Sequence, residues 1–336
     1  MLAFAICLIL LVLFIELVKP NKLNPDENNY HVQVVAHSRG RLSLHLPIIT
    51  YYLVYPRFIH AEMMTHKDFS RSASSSRAIP VKKIISQVWN NPAMPIHWGI
   101  NQAGMQASTE FTGFKRNLLR NLWQLAGRLM CCVAWVMMKI GLHKQVANRM
   151  LEPWQLMHVT LTTCKLANFF HLRIHKDAQP EIKHLASLMQ VAERASTPKI
   201  LHPNEWHLPW IQEEDKTKAW KYAAETLSDL SILELLKRMS AARCARSSYA
   251  AFDGDRSVEK DLATNDKLVN SKPVHASPCE HQATPDTLIK RIVYKESAPA
   301  IHEEVWEQPH LHGNLTGYIQ YRNTIADHYI PDTTKT

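Results

Sequence analysis

The chain has 336 residues, of which 46% are hydrophobic and 21% are charged. This globular composition excludes whole-chain disorder and collagen-like repetition. At roughly 150 residues per domain, the length allows about two domains, or one large domain with additions. The nine glycines form neither a GxGxxG nor a GxxxxGK[ST] loop, which argues against a Gly-rich dinucleotide site and against a P-loop.

Lys and Arg outnumber Asp and Glu by 39 to 30, so the formal net charge is +9. An excess of this kind favours anionic partners such as nucleic acid, an anionic membrane surface or a phosphorylated small molecule, although a solvated basic surface explains it more simply. The six cysteines form no CxxC pair. They indicate free thiols in a reducing compartment rather than a disulfide framework.

The first 18 residues are apolar apart from Glu16. Their number is at the lower limit for a membrane span, which needs about 20 helical residues. No Lys or Arg precedes them and no small-residue cleavage site follows, so a cleaved signal peptide is a poor fit. Lys19 and Lys22 would leave the bulk of the chain cytoplasmic. Three interpretations stay open: a membrane anchor, a buried N-terminal helix, or an upstream start-site artefact.

The next elements along the chain are two predicted strands, over residues 32–35 and 42–54. Residues 57–66 then predict a short helix. The Ser-rich segment 70–80 predicts a loop that opens a helix near Pro80, because serine hydroxyls compete for backbone hydrogen bonds. An irregular connection is predicted over residues 90–113.

The rest of the chain is predicted to be mainly helical up to residue 242. Apolar residues recur at helical spacing in four tracts, which cover residues 115–142, 154–175, 181–195 and 216–242. Residues 252–286 are polar and turn-rich, and mixed short elements follow them to a loose C-terminus.

A cluster of cations and hydroxyls extends from Thr65 to Arg77. Lys67 and Arg77 flank Ser70 and the serines at 74–76, just before a predicted helix start. Positive charge, short donors and a helix N-terminus are what a phosphate group needs. A Ser-rich surface turn would have the same composition, so both interpretations remain open.

Two arginines are further candidates. Arg173 ends an apolar helical stretch beside Phe169 and Phe170, where its guanidinium can present a fixed fork to a carbonyl or phosphate oxygen. It could equally be a snorkelling residue paired with Asp177. Arg149 belongs to a basic edge, which is also typical of a solvated face.

Two patterns contain metal-ligating residue types. His60-Ala-Glu62 has the HxE of zinc deaminases, but no PCxxC follows it. His275-x3-Cys279-x-His281 fits no common zinc module. We therefore predict no metal site.

Together these clusters resemble the flavin-dependent thymidylate synthases, especially the phage forms. The family signature is an Arg-His-Arg triplet, a Ser, and then Ser-x-Arg. At the same spacing, this chain has Thr65-His66-Lys67, then Ser70, and then Ser75-Ser76-Arg77. The matching flanks are the Tyr-Pro-Arg-Phe-Ile-His-Ala-Glu run at 55–62 and Ala-Ile-Pro at 78–80.

Later segments extend the resemblance over residues 30–325. Asn168-Phe-Phe-His-Leu-Arg173 is similar to the Asn…Leu-Arg element of the family, and Asn148-Arg149 to its arginine before the central helix. Ser277-Pro-Cys-Glu-His281 is similar to its Ser-Pro-Phe-Glu-His element. In the common form that element precedes the triplet, whereas here it follows, as if the order were permuted.

The resemblance implies an α+β fold, with a small antiparallel sheet packed with several long helices. It divides the chain into an apolar segment (1–22), a synthase core with a phosphate loop and central helices (30–215), and a helix plus C-terminal segment that completes the flavin site (216–336). It also implies a cytoplasmic homotetramer with sites between subunits and no nucleic-acid partner. Membrane contact is expected only if residues 1–18 are an anchor.

The implied reaction is reductive methylation of dUMP to dTMP, with methylenetetrahydrofolate as carbon donor and NADPH-reduced FAD as hydride carrier. By position, the residues that would contact FAD are His66, Lys67, Asn168 and His281. Those that would hold the dUMP phosphate are Ser75, Ser76, Arg77 and Arg149. Arg173 would lie on the uracil as the catalytic residue.

The chain departs from the family pattern at Thr65 and Lys67, which replace the two arginines of the triplet, and at Ala73, where the common form has a Glu. A lysine keeps the charge but loses the bidentate fork. Two alternatives are therefore a paralogue that modifies uracil differently, for example by hydroxymethylation, and a catalytically silent, membrane-tethered nucleotide-binding protein.

Overall fold

A five-stranded sheet organises the computed structural model, which describes residues 29–247, 256–294 and 301–329. In chain order its strands are β1 (His31–Gly40), β2 (Ile48–Pro56), β3 (Ser70–Ala73), β4 (Leu156–Thr163) and β5 (Lys199–Leu201). Their spatial order is β3-β4-β2-β1-β5, and only the β1–β5 pair is parallel. Two antiparallel ribbons follow: β6 (Ala283–Pro285) with β9 (Tyr318–Gln320), and β7 (Leu288–Tyr294) with β8 (Ile301–Trp306).

Helices surround this sheet. In the first half of the chain they are α1 (His60–Met64), α2 (Val81–Asn90), α3 (Gly113–Ile140), α4 (Lys144–Ala147), α5 (Ala167–Arg173) and α6 (Pro180–Arg194). In the second half they are α7 (Glu213–Thr226), α8 (Ile232–Arg246) and α9 (Val258–Val269). The 3₁₀ helix Asn148–Trp154 joins α4 to β4. This architecture confirms the predicted α+β fold class.

The two faces of the sheet differ in chemistry because side chains alternate along each strand. One face carries Tyr51, Leu53, Val159 and Leu161, which pack against α5 and α6 in the largest apolar core. The other face is rich in hydroxyls, and the segment around His281 covers part of it. The C-terminal part of the chain is thus attached to the sheet through polar contacts.

A line of side-chain hydrogen bonds runs across that polar face. In order its members are Ser38, His207, Thr50, Thr162, His281 and Ser72, and we call them the hydroxyl–imidazole line. The five contacts measure 3.0, 2.8, 2.6, 2.9 and 2.9 Å, and all six side chains are buried. The line touches β1, β2, β4 and β3, while its two histidines come from loops outside the sheet.

The C-terminal helices α7, α8 and α9 are joined by buried charges. Arg243 on α8 donates to Asp215 on α7 at 2.7 Å and to Asp261 on α9 at 2.8 Å, and the Arg243 side chain is fully buried. Burying a guanidinium is costly unless it is paired and hydrogen-bonded, and this one is. The three helices are therefore held in one relative orientation.

Several predicted elements are confirmed, among them the long helix near 115–142, the helix near 181–195 and the irregular stretch 90–113. Others are wrong. The second strand begins at Ile48 rather than at 42, residues 70–73 form β3 rather than a loop, and 252–286 contains α9. The tract 216–242 holds two helices, because Leu227 has a left-handed backbone with φ 50° and ends α7.

The largest error is the helix predicted over residues 154–175. Residues 156–163 form strand β4, and only Ala167–Arg173 is helical. Apolar Val159 and Leu161 alternate with Thr160 and Thr162, but all four are buried. The alternation that marks a half-exposed strand was therefore weak. The apolar segment 1–18 lies outside the described residues, and no helix within them is both long and apolar enough to cross a membrane.

The hydroxyl–imidazole line predicts a loss of stability in acid. Burial lowers the pKa of both His207 and His281 to about 3. Below pH 6.5 the unfolded chain therefore binds protons that the folded chain does not. The free energy of unfolding should fall by about 1.4 kcal/mol per pH unit for each histidine as the pH drops from about 6.5 towards 3.

Urea unfolding measured between pH 7 and pH 4 checks this. We expect the free energy of unfolding to depend less steeply on pH in His281→Asn, by the contribution of one histidine. In His207→Asn/His281→Asn the slope should decrease by the contribution of two histidines. An unchanged slope in the single variant would contradict the assignment.

Candidate functional site

Arg173, the last residue of α5, is held by α1 and by the two residues that follow it. Its Nε donates to Nε2 of His66 at 3.0 Å, one terminal nitrogen donates to Glu62 at 3.0 Å, and the other donates to Oγ1 of Thr65 at 3.2 Å. A guanidinium has five N–H donors, so two have no partner among the described residues and can bind another molecule. The Arg173 side chain is 22% exposed. It is therefore a fixed fork at an accessible surface.

His66 is neutral in this arrangement. Burial lowers its pKa, and the charges of Arg173 and Arg71 lower it further. Its Nε2 can accept the Arg173 hydrogen bond only when that nitrogen is unprotonated. The ring packs edge-on against Phe169 at 4.9 Å between centroids, and Arg71 donates to the His66 carbonyl at 3.1 Å. Arg173 and Phe169 thus fix the imidazole, while Arg71 holds the backbone of the same residue.

A surface cavity of about 490 Å³ opens beside this cluster. Three of the four residues predicted to contact FAD, namely His66, Lys67 and Asn168, line it together. Phe69 and Phe169 add apolar wall, and a second cation, Lys165, pairs with Asp68 at 3.2 Å. The cavity therefore combines a flat apolar surface with positive charge.

The fourth predicted FAD residue, His281, lies elsewhere. Its side chain is fully buried, and its two ring nitrogens hydrogen-bond to Ser72 and Thr162 at 2.9 Å each. Because both nitrogens are engaged and the ring does not line the cavity, His281 cannot contact a ligand there without breaking the line. In this geometry it anchors the C-terminal segment and lies apart from the other three residues predicted to contact FAD.

Two of the four predicted phosphate residues, Ser76 and Arg149, belong to a second cluster around Glu152. Oε1 of Glu152 accepts from Ser76 at 3.0 Å, from Arg149 at 2.8 Å and from Arg57 at 3.0 Å. Three donors that converge on one carboxylate oxygen are also placed to bind another anion. The Arg149 side chain is 54% exposed, so the cluster is open to solvent.

Ser75 and Arg77 lie on the turn before α2. The Ser75 hydroxyl accepts from the backbone N–H of Arg77 at 3.3 Å, and the Arg77 side chain is exposed. Neither side chain touches Glu152 among the hydrogen bonds of the described residues. The structure thus joins Ser76 to Arg149 through Glu152 and places Ser75 and Arg77 outside this cluster, on the neighbouring turn.

The two clusters lie beyond opposite ends of β3, a strand whose four residues span about 13 Å. Ser76 and Arg57 line a small cavity of about 70 Å³, which shares no residue with the larger cavity beside Arg173. A ligand that touches both clusters has to span this strand, or a second chain has to add one of them.

Sequence reasoning missed three side chains of these clusters: Arg57, Glu62 and Glu152. All three lie inside or next to the quoted motifs, since the 55–62 run contains two of them and Glu152-Pro153 follows Arg149. Their signal in the sequence was their charge. Glu62 and Glu152 are opposite in sign to the candidate arginines, and Arg57 lies in the same motif as Glu62. Spacing alone did not show which charges would pair.

The two candidate ligands of the His60-Ala-Glu62 pattern contact different partners. His60 bonds to the Tyr55 hydroxyl at 2.8 Å, whereas Glu62 pairs with Arg173. Within the described ranges no group of three or more His, Cys, Asp or Glu side chains could hold a metal ion.

The Arg173–His66 contact predicts a change in a titration. In Arg173→Ala the nearby positive charge is lost, so the pKa of His66 should rise from its lowered value towards 6.5. NMR titration of the His66 ring signal measures this. Arg173→Lys keeps the charge and is the matched control, in which we expect a smaller change. An equal rise of the His66 pKa in both variants would show that the charge of Arg173 does not lower that pKa.

No protein-family model matches the chain, and no curated protein matches its sequence. Among solved structures, the chain is similar to the crystal structure of a UMP/dUMP methylase, PolB from Streptomyces cacaoi, bound with 5-Br dUMP. The similarity has 14% sequence identity and a TM-score of 0.39, and it covers 50% of this chain and 91% of that chain.

Proposed function

We propose that the chain binds dUMP and methylates it reductively to dTMP, with methylenetetrahydrofolate as carbon donor and NADPH-reduced FAD as hydride carrier. The observation that carries the proposal is the contact of Arg173 with His66 and Thr65. Two of the motif segments named from the sequence, 107 residues apart, meet at this guanidinium. That convergence is independent of the sequence resemblance that suggested the chemistry.

The cavity beside Arg173 has a donor set that suits FAD. Phe69 and Phe169 offer apolar contact to a ring system, Lys67 and Lys165 offer charge to its phosphates, and Asn168 offers an amide. When bound there, FAD would supply the hydride chemistry. The chain itself would hold the ring beside Arg173 and the neutral imidazole of His66.

Arg173 would act on the uracil. Its two remaining N–H donors are fixed by Glu62, Thr65 and His66, so they need no reorganisation when negative charge develops on the ring. Charge of this kind follows loss of the N3 proton and activates C5 towards the carbon donor. Because Glu62 partly neutralises the guanidinium, Arg173 would contribute mainly by orienting the uracil.

The Glu152 cluster of a neighbouring copy would hold the phosphate, because one chain places this cluster and Arg173 beyond opposite ends of β3. Ser76, Arg149 and Arg57 all point at one carboxylate oxygen, and a phosphate oxygen placed there would meet the same donors. A bound phosphate would have to displace the Glu152 oxygen or share its donors. Ser75 and Arg77, on the turn before α2, would add further hydrogen bonds to the phosphate.

An anaerobic assay with dUMP, FAD, NADPH and methylenetetrahydrofolate tests the proposal. We expect yellow protein, tritium release from C5-labelled dUMP, and dTMP as product. Arg173→Ala should abolish turnover and keep the flavin bound, since the cavity residues that would hold FAD remain. Turnover at the wild-type rate in this variant would remove Arg173 from the mechanism.

Two other results would replace the proposal. A hydroxymethylated product with flavin bound would assign the chain to a uracil-modifying paralogue. Colourless protein that takes up no FAD but binds dUMP would support the catalytically silent nucleotide-binding alternative.

Arg149 supplies a further prediction. Arg149→Ala removes one charged hydrogen bond to the phosphate, which is worth roughly 1.5–3 kcal/mol, so the Kd for dUMP should rise by about 10- to 150-fold. Titration calorimetry measures it. Arg194→Ala, which removes an exposed arginine at the end of α6, is the matched control and should leave the Kd unchanged. Equal affinities in wild type and Arg149→Ala would place the phosphate elsewhere.

A further inference from the structure

A second surface cavity, of about 470 Å³, opens between the segment that follows α1 and the C-terminal part of the chain. We call it the C-terminal cavity. Its wall includes Lys67, which also lines the cavity beside Arg173, so the two cavities are neighbours. From the C-terminal part, its wall includes Gly313, Gln320, Arg322, Asn323 and Tyr329. The volume lies within the range of small-molecule sites, which is about 300–1,000 Å³.

A buried amide forms part of the wall. Gln320 lies on β9 and is only 3% exposed. Its Nε2 donates to the Glu280 carbonyl at 2.8 Å and to Oδ1 of Asn314 at 2.9 Å. Asn314 in turn donates to the Asp68 carbonyl at 3.1 Å, on the segment that follows α1. The carboxamide of Gln320 is therefore held in one orientation, with its nitrogen turned towards the protein.

Two hydrogen-bonding positions beside this amide are open. Oε1 of Gln320 accepts no hydrogen bond from the part of the chain that the structure describes. Nδ2 of Asn323 uses one N–H, which donates to the Leu311 carbonyl at 2.9 Å, and its second N–H has no partner among the described residues. Buried polar atoms are normally hydrogen-bonded. An acceptor and a donor on a cavity wall are therefore available to a ligand.

Gly313 leaves the space between these two atoms empty. Its backbone is left-handed, with φ 56°. A Cβ built there would meet Oε1 of Gln320 at 2.5 Å and Nδ2 of Asn323 at 3.1 Å. The acceptor and the donor thus lie side by side, and any side chain at this position would fill the space that a ligand needs.

An acceptor beside a donor is the complement of a nucleobase edge. Adenine presents the N6–H donor next to the N7 acceptor, and the amide of Asn or Gln pairs with these two atoms when proteins read DNA. Here the acceptor and the donor come from two side chains. Tyr329, which is 62% exposed, offers a ring on which a base can stack. Lys67 and Arg322, of which Arg322 pairs with Glu280, offer positive charge to a phosphate.

We propose that the C-terminal cavity binds the adenosine phosphate end of a dinucleotide, with adenine on Gln320 and Asn323 and a phosphate at Lys67. The inference rests on the proposed function, because that reaction uses two dinucleotides that contain adenosine, NADPH and FAD. Lys67 borders both cavities. The diphosphate of such a molecule would pass Lys67, and its second ring would reach the cavity beside Arg173.

The base of dUMP is the competing occupant, since uracil also has an N–H donor next to a carbonyl acceptor. The proposed reaction needs the uracil beside the Arg173 guanidinium. Arg173 does not line the C-terminal cavity. The observations therefore favour adenine.

Titration calorimetry of the full, ligand-free chain with AMP tests the proposal. We expect the wild type to bind AMP and the Kd to rise by about 5- to 150-fold in Asn323→Asp, because a carboxylate oxygen would face N7 in place of an N–H donor. Asn90→Asp is the matched control. Asn90 is exposed on α2 and also donates from Nδ2 to a backbone carbonyl, that of Ser86 at 2.9 Å, so this variant should bind AMP as the wild type does.

Two measurements on the wild type do not depend on the folding of a variant. N6,N6-dimethyl-AMP has no N6–H to donate to Gln320, so it should bind at least about tenfold more weakly than AMP. Photolabelling with 8-azido-AMP, followed by peptide mass spectrometry, locates the base. We expect the label on peptides that contain residues 310–329.

The source of the adenosine is assigned by comparing FAD, FMN and NADPH. FMN carries the same flavin ring as FAD but no adenosine. A weaker affinity of Asn323→Asp for FAD with an unchanged affinity for FMN would support the proposal and assign the cavity to FAD. A weaker affinity for NADPH with an unchanged affinity for FAD would support it and assign the cavity to NADPH.

Four results would overturn the proposal: a wild type that binds no AMP, equal binding of AMP and its dimethyl analogue, label only outside residues 310–329, or displacement of the azido label by UMP but not by AMP. A protein that binds AMP in this cavity but does not convert dUMP would remove the proposed function and leave the adenosine site intact. A protein that converts dUMP but binds no AMP would do the reverse.

Discussion

The hydroxyl–imidazole line is the constraint on which the arrangement of the whole chain depends. It joins four neighbouring strands through their polar face, and its two histidines belong to segments far along the chain. Each member is buried, so any broken link would leave an unpaired polar group at a cost of about 1–3 kcal/mol. The line therefore specifies where the segment that contains His281 must sit, and burial keeps both imidazoles neutral at physiological pH.

Both candidate arginines are held by carboxylates of their own chain. Glu62 pairs with Arg173, and Glu152 pairs with Arg149. Such pairing reduces the net charge that a ligand would meet, but it fixes two flexible side chains before any ligand arrives. For Arg173, two N–H donors have no partner within the part of the chain that the structure describes. For Arg149, the carboxylate occupies the position where a phosphate oxygen would find the same donors.

The two candidate clusters are separated within one chain. The Arg173 cavity and the Glu152 cluster lie beyond opposite ends of β3, and the two cavities share no lining residue. A nucleotide that used both clusters would therefore need one of them from a neighbouring copy.

The sequence by itself determined the α+β class, the positions of the long helices and the segments that bear the candidate residues. Helical spacing and turn residues act over a few neighbouring positions, so they can be recognised from the sequence alone. The partners of those residues depend on contacts more than a hundred positions apart, such as His66 with Arg173, and on charges whose pairing no spacing reveals. Strand β4 was missed because burial on both faces hides its alternation. Only the tertiary structure decided that His281 is enclosed between two hydroxyls while His66 borders a cavity, since burial is a property of the packed chain.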